Sequence, residues 1–305
     1  MGSYIVRRIL WLIPVLLIVS LITFTLMHLV PGGPWSTDKA VAAGVQAAID
    51  RQYHLKDPVW MQFARWVFDF IRGDFGPSFR YADRSIGHII ADGLPATVQL
   101  GLMSFVLSVA VGIPLGIIAA LGHNRWPDYL ATFVSLLGIA TPSFILAVLL
   151  IVVFSVWLKV LPALGWGAPD TWVLPTIALS GYQIAQIARY TRASMLEVTR
   201  KDYVRTAQSK GLKERAIVVR HMVRNALIPV VTILGPILAF LVTGSFIIEA
   251  FFGIPGIGRY YVQAIVQRDY SLIMAMTVLY AFAIAAMNVV VDVLYGYIDP
   301  RIRYN

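Results

Sequence analysis

The chain is 305 residues long, 58% hydrophobic and 13% charged, with a mean hydropathy of +0.74. Soluble domains carry about 25% charge, so this balance excludes an ordinary soluble domain. The absence of cysteine excludes disulfides, thiolate metal sites and a cysteine nucleophile. The net charge of +9 does not call for nucleic acid, because its placement follows a membrane-topology bias and there is no aromatic–basic interleaving.

Apolar runs of about 18 residues or more predict membrane helices. Six candidate spans follow: Ile9–Val30, Thr97–Leu121, Leu130–Leu158, Trp172–Ala188, Ile228–Ile248 and Leu272–Leu294. The first follows Arg7 and Arg8 and exceeds the about 7–15-residue core of a cleaved signal peptide, so it reads as a retained span. The segment 31–96 comes next. Within it, Trp60, Phe63, Trp66, Val67 and Phe70 recur at helical spacing and predict an amphipathic helix over Pro58–Arg72. That helix could lie at the membrane interface, pack on the outer ends of the spans or meet an external partner.

The second span carries Ser108, Gly112, Gly116 and Ala120 at four-residue spacing, a stripe that lets another backbone approach closely. In the third, Pro142 predicts a static kink, with Thr141 and Ser143 satisfying the freed backbone groups. The fourth is the least apolar, with Gln183 and Gln186 on one face. Polar side chains at membrane depth face protein or a watery cavity, so these two either line a translocation path or bond between helices. Thr232 and Thr243 of the fifth span join them as path candidates, the stripe Gly235, Ala239 and Thr243 reading otherwise as helix packing. The turn-rich stretch Phe251–Tyr261 suggests a loop that dips back as a plug. Asn288 and Asp292 share a face of the last span. Asp292, near Arg301 and Arg303, reads as a structural salt bridge or hydrogen bond rather than a proton-coupling group.

Basic residues concentrate at the N-terminus, in the loop 189–225 and at the C-terminus. That loop holds ten arginines and lysines against Glu197, Asp202 and Glu214, whereas in 31–96 seven basic residues are offset by seven acidic ones. The positive-inside rule then places both termini and this loop in the cytoplasm.

No Gly-Lys-Ser/Thr, His-Glu-x-x-His or Gly-x-Ser-x-Gly occurs, so no phosphate-cradling loop, zinc site or serine elbow is expected. The five histidines are scattered, and His28 reads as a packing residue. No catalytic, cofactor-binding or metal residue is expected, and any ATP and magnesium must be held by another chain.

The loop itself has helical composition over Met195–Arg205 and Lys213–Met222, with Gly211 breaking the pattern. Small residues Thr206 and Ala207 would let a partner groove close around it, flanked by Arg205, Lys210 and Lys213. The stretch Asp202-Tyr-Val-Arg-Thr-Ala-Gln-Ser-Lys-Gly-Leu212, followed by Asn225-Ala-Leu-Ile-Pro229, resembles the ATPase-coupling ("EAA") loop of permeases from binding-protein-dependent ABC importers. The glutamate and first alanine of the general pattern are replaced by Arg205 and Thr206, in the form shown by the dipeptide, oligopeptide and nickel branch. Leu29-Val-Pro-Gly-Gly-Pro34, Gly73-Asp-Phe-Gly76, Gly112-Ile-Pro-Leu-Gly116, Pro255-Gly-Ile-Gly258, Arg268-Asp-Tyr270 and Asp299-Pro-Arg301 are similar too.

The resemblance implies an all-α, six-helix type I importer permease (MetI-like) fold. Its parts would be a first helix over 1–30, an extracytoplasmic segment over 31–96, and a permease core over 97–305 with the coupling loop at 189–227. It implies a coupling site at Asp202, Tyr203, Arg205, Thr206, Ala207, Lys210, Gly211 and Leu212. It also implies partners: a second homologous permease, two ABC ATPase subunits and an extracytoplasmic solute-binding protein, in the lipid of a prokaryotic cytoplasmic membrane. The implied function is import of di- or oligopeptides by alternating access. Nickel chelates, glutathione or another small solute are alternatives within the family. An autonomous secondary transporter or a membrane enzyme would be alternatives outside it.

Overall fold

The computed structural model describes residues 2–30, 57–78, 80–81 and 84–298, and the side chains among them between 6 and 290. The charges of segment 31–56, the side chain of Asp292, and Arg301 and Arg303 therefore lie outside the described residues, as does the salt bridge expected there. The described chain is helical, with one isolated bridge between Pro77 and Ser85.

The helices run α1 Gly2–Leu29, α2 Val59–Ile71, α3 Ile86–Leu121, α4 Trp126–Ala140, α5 Ser143–Trp157, α6 Pro169–Thr199, α7 Asp202–Ser209, α8 Glu214–Val242, α9 Phe246–Phe252, α10 Ile257–Gln267 and α11 Tyr270–Ile298. Stretches Ile151–Trp157 of α5 and Ile217–Val223 of α8 are wound as π-helix.

Four helices, α1, α3, α8 and α11, are long and apolar enough to cross a membrane, or five if α4 and α5 form one broken span. The fourth predicted span falls on α6, which has the length but is too polar to qualify. The third departs from expectation. Instead of a kink at Pro142, α4 and α5 meet at 106°. Thr141 and Pro142 both take extended ψ, of 114° and 142°. Proline drives its preceding residue out of the helical region, and two extended residues together turn the chain.

α3 is the central post. Its 36 residues reach roughly 54 Å at 1.5 Å per residue, so its first turns extend beyond a hydrocarbon core of about 30 Å. The predicted small-residue stripe is buried along it, continuing back through Ser104, Gly101, Thr97 and Gly93. A Cβ on Gly112 would stand 2.8 Å from Ile187 Cβ, one on Gly116 2.5 Å from the Ala188 carbonyl, and one on Gly101 2.3 Å from that of Leu241. The stripe therefore packs α6 and α8 directly on α3, where lipid-embedded helices gain van der Waals contact.

At the opposite end to the loop, α2 lies against α1 through Phe24 and Phe63, with Trp66, Phe70 and Phe75 continuing the aromatic row. The His28 Nδ1–H donates to the Phe24 carbonyl at 2.8 Å, and the two rings meet tilted with centroids 4.2 Å apart, a packing role as expected. The Phe251–Tyr261 stretch is not a free loop. It closes α9 with a left-handed Gly253 and opens α10 at Ile257, which packs against Gly93 of α3.

Candidate functional site

The loop expected to break once at Gly211 breaks twice. Met195 to Thr199 complete α6; Arg200 and Lys201 turn the chain; α7 then runs Asp202–Ser209. Asp202 sits in its first turn, where a carboxylate complements the amino end of a helix. Gly211 takes φ +71° with open space around it, so glycine is needed there for its left-handed backbone rather than for room. Lys201 pairs with Glu197 at 2.9 Å on the exposed surface.

α7 is amphipathic. Val204 and Ala207 are buried among Met195, Val198, Ile217, Met222 and Ala226. The expectation that Ala207 offers a small surface to a partner does not hold, because it is 5% exposed and turned into this chain's own core. Asp202, Tyr203, Arg205, Thr206, Lys210, Gly211 and Leu212 are exposed. They form an outward surface with two apolar points, Tyr203 and Leu212, between cations. Behind it, the Ser194 hydroxyl donates to the Ala226 carbonyl at 2.8 Å and ties α6 to α8.

Gln183, Gln186 and Thr232 come together in a cavity of about 480 Å³ between α6 and α8, walled also by Tyr182, Tyr190, Ile233, Pro236, Ile237 and Phe240. Thr243 is not among its walls and donates to its own helix at the Phe240 carbonyl, 2.7 Å away. Gln183 is 5% exposed, whereas the Gln186 amide reaches the Tyr182 hydroxyl only at 3.5 Å. The aromatic walls were missed, although a signal existed. Tyr182, Gln186 and Tyr190 follow at i, i+4, i+8, as do Thr232, Pro236 and Phe240. No wall residue bears a formal charge, so the cavity offers amide and phenol groups beside apolar surface.

Three buried carboxylates also escaped sequence reasoning. Asp128, 2% exposed at the start of α4, receives both Nε (2.5 Å) and a terminal nitrogen (2.8 Å) of Arg192 and the Asn124 amide at 3.0 Å. Glu249 of α9, fully buried, accepts from the Thr97 hydroxyl at 2.9 Å and the Gly258 amide at 2.7 Å. Asp269, before α11, accepts from Ser78 and from the Leu272 amide, joining the segment ahead of α3 to the last helix. Each has a partner 64 or more positions away, a distance that local patterning does not bridge.

Residues 112–304 match the family described as binding-protein-dependent transport system inner membrane component, and residues 1–101 match the N-terminal region of such membrane components. The dipeptide transport system permease protein DppB of Bacillus subtilis is 43% identical over 303 residues, covering 99% of this chain and 98% of that one. The oligopeptide transport system permease protein OppB of Salmonella typhimurium is 43% identical over 307 residues, covering all of both. A solved structure of the MetNI methionine ABC transporter in an inward-facing conformation aligns with TM-score 0.59 at 16% identity, over 70% of this chain and 97% of that one. The fold is thus that of a type I ABC importer permease, and the chain is a multi-pass membrane protein. On the strength of the full-length match, it belongs to the binding-protein-dependent transport system inner membrane component family.

Proposed function

We propose that this chain is one permease half of an ATP-driven importer that carries di- or oligopeptides across the cytoplasmic membrane by alternating access. The observation that carries the reading is the uncharged cavity between α6 and α8, in a chain more than 40% identical over its length to dipeptide and oligopeptide permeases. A peptide presents amide donors and acceptors at every residue, with side chains that vary. Gln183, Gln186 and the tyrosine hydroxyls can pair with the constant part, and aromatic walls accommodate the variable part without selecting a charge. The cavity is open on one side. A second, homologous permease would supply the missing wall, and an extracytoplasmic binding protein would deliver cargo to it.

The outward surface of α7 is the proposed ATPase contact, with Tyr203 and Leu212 as apolar anchors and Arg205 and Lys210 setting orientation. Asp202, Thr206 and Gly211 shape it, and Ala207 seats it from below. ATP and magnesium would be bound by two partner ATPases, which favour one cavity orientation while cargo favours the other. Both termini and α7 are assigned to the cytoplasm by their basic excess.

The test is uptake of radiolabelled di- and tripeptides by the complete complex in liposomes, with ATP inside the ATPase-facing compartment. Wild type accumulates peptide; Gln186→Leu with Gln183→Leu lowers uptake by about fivefold or more, the equivalent of two lost hydrogen bonds at about 0.5–1.5 kcal/mol each, without changing assembly. Uptake of glutathione or nickel chelates in preference to simple peptides would refute the cargo, and uptake without the ATPases would refute the mechanism.

A further inference from the structure

A second cavity, of about 160 Å³, lies on the other side of α6, between it, α3 and α4. Its walls are mostly apolar, from Leu115, Leu136 and Ile139, with Thr132 and Ser135 among them, and Arg189 and Arg192 stand at it. The two cations are not equivalent. Arg192 is neutralised by its two-point bond to Asp128, whereas Arg189 is exposed and has no partner among the described residues. An unpaired guanidinium one turn inside a lipid-embedded bundle is costly unless an anion meets it.

The depth of the site can be read from α4. Trp126 and Tyr129 in its first turns are 74% and 65% exposed, as expected of aromatic side chains at the membrane–water interface. Asp128 between them holds Arg192, so Arg189 sits about one helical turn further in. There a long side chain can carry its charge outward to headgroup level, while the apolar cavity continues beneath it.

We propose that this cavity binds an anionic phospholipid of the leaflet on the α7 side, with the phosphate on Arg189 and part of an acyl chain against Leu115, Leu136 and Ile139. Basic pockets between membrane helices have the chemistry for such headgroups. The proposal needs only the membrane fold of the family and is independent of what the importer carries.

Native mass spectrometry of the complete complex, released from mild detergent after incubation with phosphatidylglycerol, phosphatidylcholine or soluble glycerol phosphate, tests it. The expected result is one retained phosphatidylglycerol that phosphatidylcholine and glycerol phosphate do not replace. Arg189→Gln should weaken that retention about fivefold, and Arg189→Lys should restore much of it. Thr132→Trp, at the exposed lip of the cavity, should block it with the charge intact. Arg220→Gln, an exposed arginine of α8 outside the cavity, should leave it unchanged. Equal retention in Arg189→Gln would overturn the proposal, as would equal binding of phosphatidylcholine. Binding of glycerol phosphate as tight as that of the lipid would show a free-anion site instead. No retained lipid in wild type would overturn it too, and cross-linking of Thr132→Cys to the second permease would then show a subunit contact instead.

Discussion

Glu249 shows how much a single buried side chain asks of its neighbours. Its carboxylate is walled by three glycines: a Cβ on Gly256 would fall 2.3 Å from one oxygen, one on Gly258 2.8 Å from the same oxygen, and one on Gly244, at φ +86°, 2.7 Å from the other. This explains the glycines of Pro255-Gly-Ile-Gly258 as space for a carboxylate rather than as turn chemistry alone. Burial pushes the Glu249 carboxyl above the usual carboxylate range, opposed by the hydrogen bonds from Thr97 and Gly258. An acid with a raised folded pKa contributes stability fully present below its unfolded value and lost as pH rises through the folded one. Glu249→Gln should therefore hold the fold, and its Tm relative to wild type should rise as pH is taken from 5 to 8. A constant difference across that range would contradict the assignment. Gly256→Ala, which overlaps the carboxylate in a closed cage, should cost about 1–3 kcal/mol, measured as a loss of Tm at every pH. The sequence offered the glycines but not their reason, since Thr97 is 152 positions from Glu249.

Among the elements, α7 changes how loop mutations are to be interpreted. Thr206 is exposed and donates to the Asp202 carbonyl at 3.0 Å, whereas its neighbour Ala207 faces Met195 and Met222 inside the chain. Ala207→Glu would bury an unpaired charge, a change worth several kcal/mol, and should lower Tm and assembly even with no ATPase present. Thr206→Glu should leave stability within about 0.5 kcal/mol of wild type, as surface changes do, and, under the proposed function, alter only ATPase-coupled transport. Pull-down of the ATPases beside a Tm measurement separates the two. If Ala207→Glu proves as stable as wild type, the inward packing of α7 is wrong. Helix content, the glycine break at 211 and the small-residue stripe of α3 were legible because each is a local rule of spacing. The second break at Arg200–Lys201 was not, since arginine and lysine are good helix formers and only packing of Val204 and Ala207 onto the bundle turns the chain there. The 106° bend at Pro142 escaped for the opposite reason: proline announces a disturbance, but its size depends on where α5 finds a partner in α6 and α9.

For the whole molecule, one polypeptide accounts for only part of the cavity, and the rest of the wall belongs to another gene product under the proposed function. A permease with selectivity for a new peptide would then have to change on both faces at once. α6 adds a mechanical side to this. Its 31 residues span roughly 46 Å, and the glutamines of the cavity stand on the same rod whose far end, Met195 and Val198, is clamped onto α7. From Gln186 to Thr199 is about 20 Å of unbroken helix. A rod has little play, so a push on α7 should arrive at the glutamines as a displacement rather than fade along a chain of side-chain adjustments. The place where slack can enter is the joint at Arg200 and Lys201. Two glycines inserted there should leave folding and ATPase binding intact and yet let the engine run idle, with ATP hydrolysed and no peptide moved.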